Sequence, residues 1–306
     1  MHYLITGGAG FLGAALANRL AAQGNVVRVL DDLSAGDPNR LSREVFFTRG
    51  DVKDIPKLWT LLQSVQCVYH LAARVSVPES VMYPGDYNAV NVGGTVSVLE
   101  AMREAGVKRV VFSSSGAVYG EQASQPLRED MVLNPSSPYA VSKIAAEHYV
   151  GTIGALWHIE TVSLRVFNAY GPGQQLPAAH PPVVPELIRR ALRGESLVVH
   201  GDGSQTRDYV YIDDVVDALV AAATAPEVDR LRINVGSGVG TSVNDLVDAI
   251  GESIGRRLMP LHVPADDGGV SRMCASLTLA REKLNFQPQV SLAEGLRRIL
   301  ASDPRF

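Results

Sequence analysis

Residues 2–13 read His2-Tyr3-Leu4-Ile5-Thr6-Gly7-Gly8-Ala9-Gly10-Phe11-Leu12-Gly13, and their order decides the fold. A short apolar run opens the stretch, glycines follow at G-x-x-G-x-x-G spacing, and a helical pattern occupies 11–23. A continuous apolar run is what a strand buried on both faces requires. Gly7 permits the tight turn, Gly10 lets the backbone approach a pyrophosphate, and Gly13 allows close helix–strand packing. Unpaired N–H groups and the dipole at the helix start favour an anion there. Glycine costs backbone entropy on folding, so some of the 28 glycines are expected where backbone meets ligand.

Working outward, 26–30 reads as a second strand closed by Asp31-Asp32. A carboxylate at that point accepts hydrogen bonds from the adenosine ribose and repels a 2′-phosphate, which favours NAD over NADP. Arg28, inside the strand, is poorly placed to offset that repulsion. Further strands are predicted at 67–71, 107–113 and 162–167, with a helix at 88–105. Alternating strands and helices imply an α/β fold, a Rossmann-type doubly wound parallel sheet with ligands at the carboxyl ends of its strands. After Asn168 the texture becomes loop-rich, through Gly171-Pro172-Gly173 and 177–185. The expected division is a dinucleotide-binding domain at 1–167, rejoined by about 208–235, and a smaller α/β substrate-binding domain at 168–306.

The 306 residues carry a net charge of −4, which gives no broad footprint for nucleic acid. No apolar run is long enough to cross a bilayer, and two cysteines, Cys67 and Cys274, do not make a disulfide scaffold. No membrane partner, no metal and a cytoplasmic location are expected. Cys67 and His70 fall on opposite faces of one strand, which argues against a metal pair.

Lysine is scarce: of 28 Lys and Arg, only Lys53, Lys57, Lys108, Lys143 and Lys283 are lysine. Lys143 stands four residues after Tyr139, and Pro138 suits a first helical turn, so the two share one helix face. A tyrosine titrates near ~10, and bringing it to neutral pH needs roughly 4 kcal/mol, which a nearby ammonium and a positive nicotinamide together can supply. Upstream, Val110-Val111-Phe112-Ser113-Ser114-Ser115 is an apolar run ending in three hydroxyls. A hydroxyl at that end can share a proton with Tyr139.

These motifs together identify the chain as resembling the extended short-chain dehydrogenases/reductases, and within them the UDP-glucose/UDP-galactose 4-epimerases. The resemblance runs nearly end to end: TGGAGFLG at 6–13, Asp31-Asp32, Asp51-Val52, HLAA at 70–73, Asn91, SSSGAVYG at 113–120, YAVSK at 139–143, RVFNAYGP at 165–172 and GDGSQTRDYVYIDDV at 201–215. It implies Tyr139 as base, Lys143 as its electrostatic partner and ribose ligand, and Ser115 as the hydroxyl bridging substrate and Tyr139. The implied NAD set is Gly7, Gly10, Phe11, Leu12, Gly13, Asp31, Asp32, Ser34, Gly36, Asp51, Val52, Leu71, Ala72, Ala73, Asn91, Ser113, Tyr139 and Lys143. For the nucleotide-sugar substrate it implies Ser115, Asn168 and Arg207, with His200 near the nucleobase. A homodimer through helices at about 88–105 and 139–151 is implied as well.

Related dehydratases place an Asp-Glu pair after the catalytic hydroxyl, whereas here Gly116 and Ala117 stand there and can do no proton chemistry. Reversible hydride transfer at one carbon is the activity that remains, and the resemblance implies that this carbon is C4 of the sugar. Two departures bear on the sugar. The family's diphosphate arginine is absent from Asp266-Asp267-Gly268-Gly269-Val270, with Arg272 as the candidate replacement. The position gating C2 substituents falls on Met273, or on Cys274 if the register slips by one. The competing readings are an epimerase of UDP-N-acetylhexosamine or UDP-uronic acid, a nucleotide-sugar 4-ketoreductase, and a non-catalytic NAD-sensing protein.

Overall fold

The computed structural model describes residues 1–264 and 270–306. Its strands are β1 (His2–Thr6), β2 (Val26–Asp31), β3 (Phe46–Arg49), β4 (Cys67–His70), β5 (Arg109–Ser115), β6 (Glu160–Val166), β7 (Asn168–Tyr170), β8 (Val198–His200), β9 (Thr206–Tyr211), β10 (Leu231–Val235), β11 (Gly240–Ser242) and β12 (Leu261–Val263). The helices are α1 (Phe11–Ala22), α2 (Ile55–Leu61), α3 (Val77–Met82), α4 (Pro84–Tyr87), α5 (Gly94–Ala105), α6 (Pro138–Trp157), α7 (Val183–Arg193), α8 (Ile212–Ala222), α9 (Val243–Ser253), α10 (Thr278–Leu284) and α11 (Leu292–Ser302).

Seven parallel strands form the main sheet in the order β10-β6-β5-β4-β1-β2-β3. From β3 to β6 this is the doubly wound Rossmann order, with its switch point between β1 and β4. Alternate residues of β1 take opposite sides, as the period of a strand demands. Tyr3 and Ile5 join Leu16 and Leu20 of α1 and Val215 and Leu219 of α8 on one face. Leu4 joins Leu58, Val98, Met102 and Val150 on the other. Both faces are therefore covered, which explains why the strands read as unbroken apolar runs. After β9 the chain returns to the sheet: α8 packs beside α1, and β10 pairs with β6, Leu231 opposite Val162.

A smaller three-stranded sheet, β11-β9-β7, sits where the chain leaves β6, with Asn168 paired to Tyr209. β8 and β12 form a further two-stranded sheet. The helix expected at 88–105 is two segments. Asn88–Gly93 winds as a π-helix and α5 follows from Gly94. Gly94 is required where it stands, because a Cβ there would meet Val52 Cγ2 at 2.7 Å. No helix among the described residues is long and apolar enough to cross a membrane.

Candidate active site

β1 and β4 lie side by side and their following loops face each other across the switch point. Gly7 takes φ +69°, a left-handed conformation, and a Cβ on it would come within 2.6 Å of the Ala72 backbone nitrogen. Only glycine satisfies both conditions without strain. Gly10 begins α1 with no side chain capping it, and no acidic residue occupies the first turn. The amide groups at that end thus remain open to an anion. Around this turn lies a cleft of about 590 Å³ between the ends of the strands.

The cleft wall contains Gly7, Gly10, Phe11, Leu12, Gly13, Asp31, Asp32, Ser34, Gly36, Asp51, Val52, Leu71, Ala72, Ala73, Ser113, Ser115, Tyr139 and Lys143. The glycine cradle, the uncapped helix start and the two carboxylates fit a dinucleotide. Arg28 is remote from this task, its guanidinium donating to Leu61 O at 2.7 Å and Gln63 O at 2.6 Å. The two aspartates are not equivalent. Asp31 is buried and accepts from Ala9 N at 3.0 Å and Leu33 N at 2.9 Å, which ties β2 to the glycine turn. Asp32 is exposed and accepts from Ser34 N and Ser34 Oγ.

On the other side of the cleft, Ser137 caps α6 by accepting from Ala140 N, and Pro138 occupies the first helical position. The sequence therefore starts this helix immediately before Tyr139, and both Tyr139 and Lys143 are buried on its inner face. Lys143 Nζ donates to Ser113 O at 2.8 Å and lies 5.1 Å above the Phe112 ring. Ser115 Oγ accepts from Ala117 N at 3.1 Å and also hydrogen-bonds Tyr139. Since the Ser115 oxygen is already an acceptor, its proton is available to donate.

Burial pushes the Tyr139 phenol up, opposed by the Ser115 hydrogen bond. Burial also lowers the Lys143 ammonium to about 8, against the influence of Glu147. A base role for Tyr139 therefore depends on added positive charge. His70 is held neutral by burial and secondarily by Lys143, its basicity lowered to about 3. Its ring is bracketed by Thr6 Oγ1 at 2.7 Å and Thr95 Oγ1 at 2.9 Å. Because Thr95 Oγ1 donates to Asn91 O, it accepts from His70 Nε2, which leaves Nδ1 as the acceptor.

Other expected site residues lie outside the cleft wall. Asn91 is buried behind it, with its side chain holding Arg74 N, Arg74 O and Ser142 Oγ. The π-turn places it there, so the structure shows it bracing the wall. Met273 sits in the apolar core, 7% exposed, with its backbone N–H on Thr206 O. Cys274 is half-buried, its N–H given to Gln125. Asn168 and Arg207 occupy the small sheet, and His200 is exposed at the end of β8. Arg272 is bridged to Thr206, which brings it beside Arg207, and both guanidiniums act on Glu121. Asp266 to Gly269 lie outside the described residues.

The wall also includes residues that the sequence did not single out, among them Lys53, Arg74, Phe167, Gln174 and Gln175. Phe167 lay within the RVFNAYGP stretch, and its ring would be 3.2 Å from a Cβ at Gly116. Arg74 and Lys53 carried no spacing signal.

Residues 3–236 match the model of the NAD-dependent epimerase/dehydratase family. The chain belongs to that family. It is 42% identical over 305 residues to a UDP-glucose 4-epimerase of Mycolicibacterium smegmatis, covering 97% of both chains. Among solved structures it resembles the UDP-glucose 4-epimerase of Thermotoga maritima with UDP-glucose, at 36% identity and TM-score 0.94 over 98% of each chain. The UDP-glucose 4-epimerase of Thermus thermophilus in complex with NAD matches at 34% identity and TM-score 0.90, again over 98% of each. The NAD-dependent epimerase/dehydratase fold thus extends past residue 236 to the C-terminal helices, in agreement with the resemblance seen in the motifs.

Proposed function

We propose that the protein catalyses NAD-dependent epimerisation at C4 of a UDP-hexose of the glucose/galactose type. One observation carries this reading: Ser115, Tyr139 and Lys143 converge at the end of β5 inside the glycine-turn cleft, and the next two positions, Gly116 and Ala117, bear no acid or base. Tyr139 removes the proton of the sugar's 4-hydroxyl while Ser115 holds that oxygen. NAD held by the glycine turn and the Asp31–Asp32 carboxylates would supply the hydride acceptor and donor for C4. The 4-keto sugar presents its other face, and Tyr139 gives its proton back to O4, so no atom is gained or lost. Lys143 stabilises the phenolate, and burial strengthens that interaction because the local dielectric is low.

Arg207 and Asn168 hold the sugar-nucleotide diphosphate in this reading, with Arg272 beside Arg207 in place of the missing arginine. A guanidinium suits that duty because its fork meets phosphate oxygens in pairs. The substrate-binding part is 168–306, less the 208–235 segment that completes the dinucleotide part. A homodimer is supported by apolar side chains left exposed on α3 and α6, namely Val81, Met82, Val141 and Tyr149. A cytoplasmic location is supported by the two free thiols of Cys67 and Cys274.

The test is incubation with UDP-galactose, UDP-N-acetylgalactosamine and UDP-galacturonate, with chromatographic separation of products and no added cofactor. Conversion of UDP-galactose to UDP-glucose is expected, and Tyr139→Phe lowers kcat by about 10²–10⁴-fold. Dependence on added NAD(P)H with net reduction would replace the epimerase reading by a ketoreductase.

A further inference from the structure

The three serines that end β5 each grip α6. Ser115 bonds Tyr139, the Ser113 carbonyl accepts from Lys143, and Ser114 Oγ donates to Glu147 Oε1 at 2.5 Å. Tyr139, Lys143 and Glu147 are spaced by four, so they form one stripe along the helix. Glu147 is 2% exposed and is clamped by Arg165, which donates from Nε at 3.0 Å and from Nη2 at 2.9 Å. Arg165 in turn donates from Nη1 to Tyr119 Oη at 2.9 Å, and Tyr119 donates to Asn234 at 2.7 Å. The carboxylate is therefore fixed by β5 and β6 together, one turn beyond the lysine.

We propose that Glu147, clamped by Arg165 and Ser114, is a positioning residue that keeps Lys143 charged and so determines how far into alkaline pH the enzyme works. The surroundings of Lys143 single out this carboxylate. From β5 come the Ser113 carbonyl and the Phe112 ring, and from β4 the neutral His70. From α6 come Tyr139 and Glu147. The α4 side offers Tyr87, edge-on to Tyr139 and donating to Ser76 O and Glu79, while Thr95 and Asn91 of the α5 side are uncharged. Arg74 faces Glu79 and Asp86. Behind Glu147 stand Arg165 and, at 3.9 Å, Arg232. Asp31 ends β2 and Asp32 follows it, three strands from β5. Burial works against the charge on Lys143, and Glu147 works for it. Arg165 holds that carboxylate in place by bonding both of its oxygens.

Removing the carboxylate should therefore lower the lysine's midpoint. E147Q removes the carboxylate, and E147Q/R165M does so without leaving a buried unpaired guanidinium, which guards against failure to fold. With five lysines in the chain, Lys143 can be titrated by NMR of protein labelled at lysine Cε and assigned against K143R. Its midpoint, about 8 in the wild type, falls by about one pH unit in E147Q/R165M. The alkaline limb of kcat/KM for UDP-galactose follows it. A structural role alone would lower stability without moving the midpoint. A midpoint unchanged in E147Q/R165M overturns the inference. The assignment rests on the proposed pairing of Tyr139 with Lys143. A midpoint that moves while the limb stays put overturns that pairing and leaves the action of Glu147 on Lys143 standing.

Discussion

Asp31 and Asp32 are adjacent in the chain and do different work. Read from sequence, either carboxylate could face a ribose, because only their place after β2 is visible. The structure gives Asp31 two backbone N–H groups, Ala9 and Leu33, and leaves Asp32 to its own turn with Ser34. Asp31→Ala should cost about 1–3 kcal/mol, since two amides lose a buried acceptor. Asp32→Ala should stay within about 0.5 kcal/mol and weaken only the preference for NAD over NADP. Urea unfolding followed by dinucleotide titration separates the two, and equal stability loss in both would contradict the division. Tyr139 and Lys143 were legible because residue type and spacing carry their chemistry, whereas Ser115 was set apart from Ser113 and Ser114 only by the family resemblance. Arg74 and Gln174 were not, because nothing local distinguishes a cleft arginine or glutamine from a surface one.

Among the elements, α1 is held tight against the glycine turn. A Cβ at Gly13 would overlap Gly7 O and stand 2.6 Å from Gly8 Cα. Gly13→Ala must push the start of α1 off the turn, so dinucleotide affinity should fall at least about tenfold, about 1.4 kcal/mol. Fluorescence titration with NADH measures this, and affinity unchanged in a folded variant would count against the cradle. Helix and strand boundaries show what period alone conveys. The apolar run suggests that β5 stops at Ser113, yet the strand continues to Ser115 because Ser113, Ser114 and Ser115 pair with Leu164, Arg165 and Val166. That extension carries Ser115 to Tyr139. Likewise 88–105 has a helical pattern throughout, and the wide turn at 88–93 comes with side-chain bonds from Asn91 to Arg74 and Ser142. No i, i+4 pattern encodes such partners.

For the whole molecule, the exposed apolar residues of α3 and α6 lead to a test of assembly. Val81 and Val141 are 65% and 53% exposed, unusual for valines on neighbouring helices. If they meet a second copy, V81E/V141E should turn a dimer into a monomer in light scattering, while NAD binding persists. A wild type that is already monomeric would refute the dimer. The sequence by itself determined β1, β2, β4, β5 and β6 of the main sheet, the glycine turn and the tyrosine–lysine pair, because each is written in the spacing of one short segment. Only the tertiary structure decided that Met273 is core, that Asn91 braces the wall, and that Glu147 and Arg165 meet behind the lysine. Those outcomes depend on burial and on contacts between segments far apart in the chain, and such contacts leave no period in the sequence.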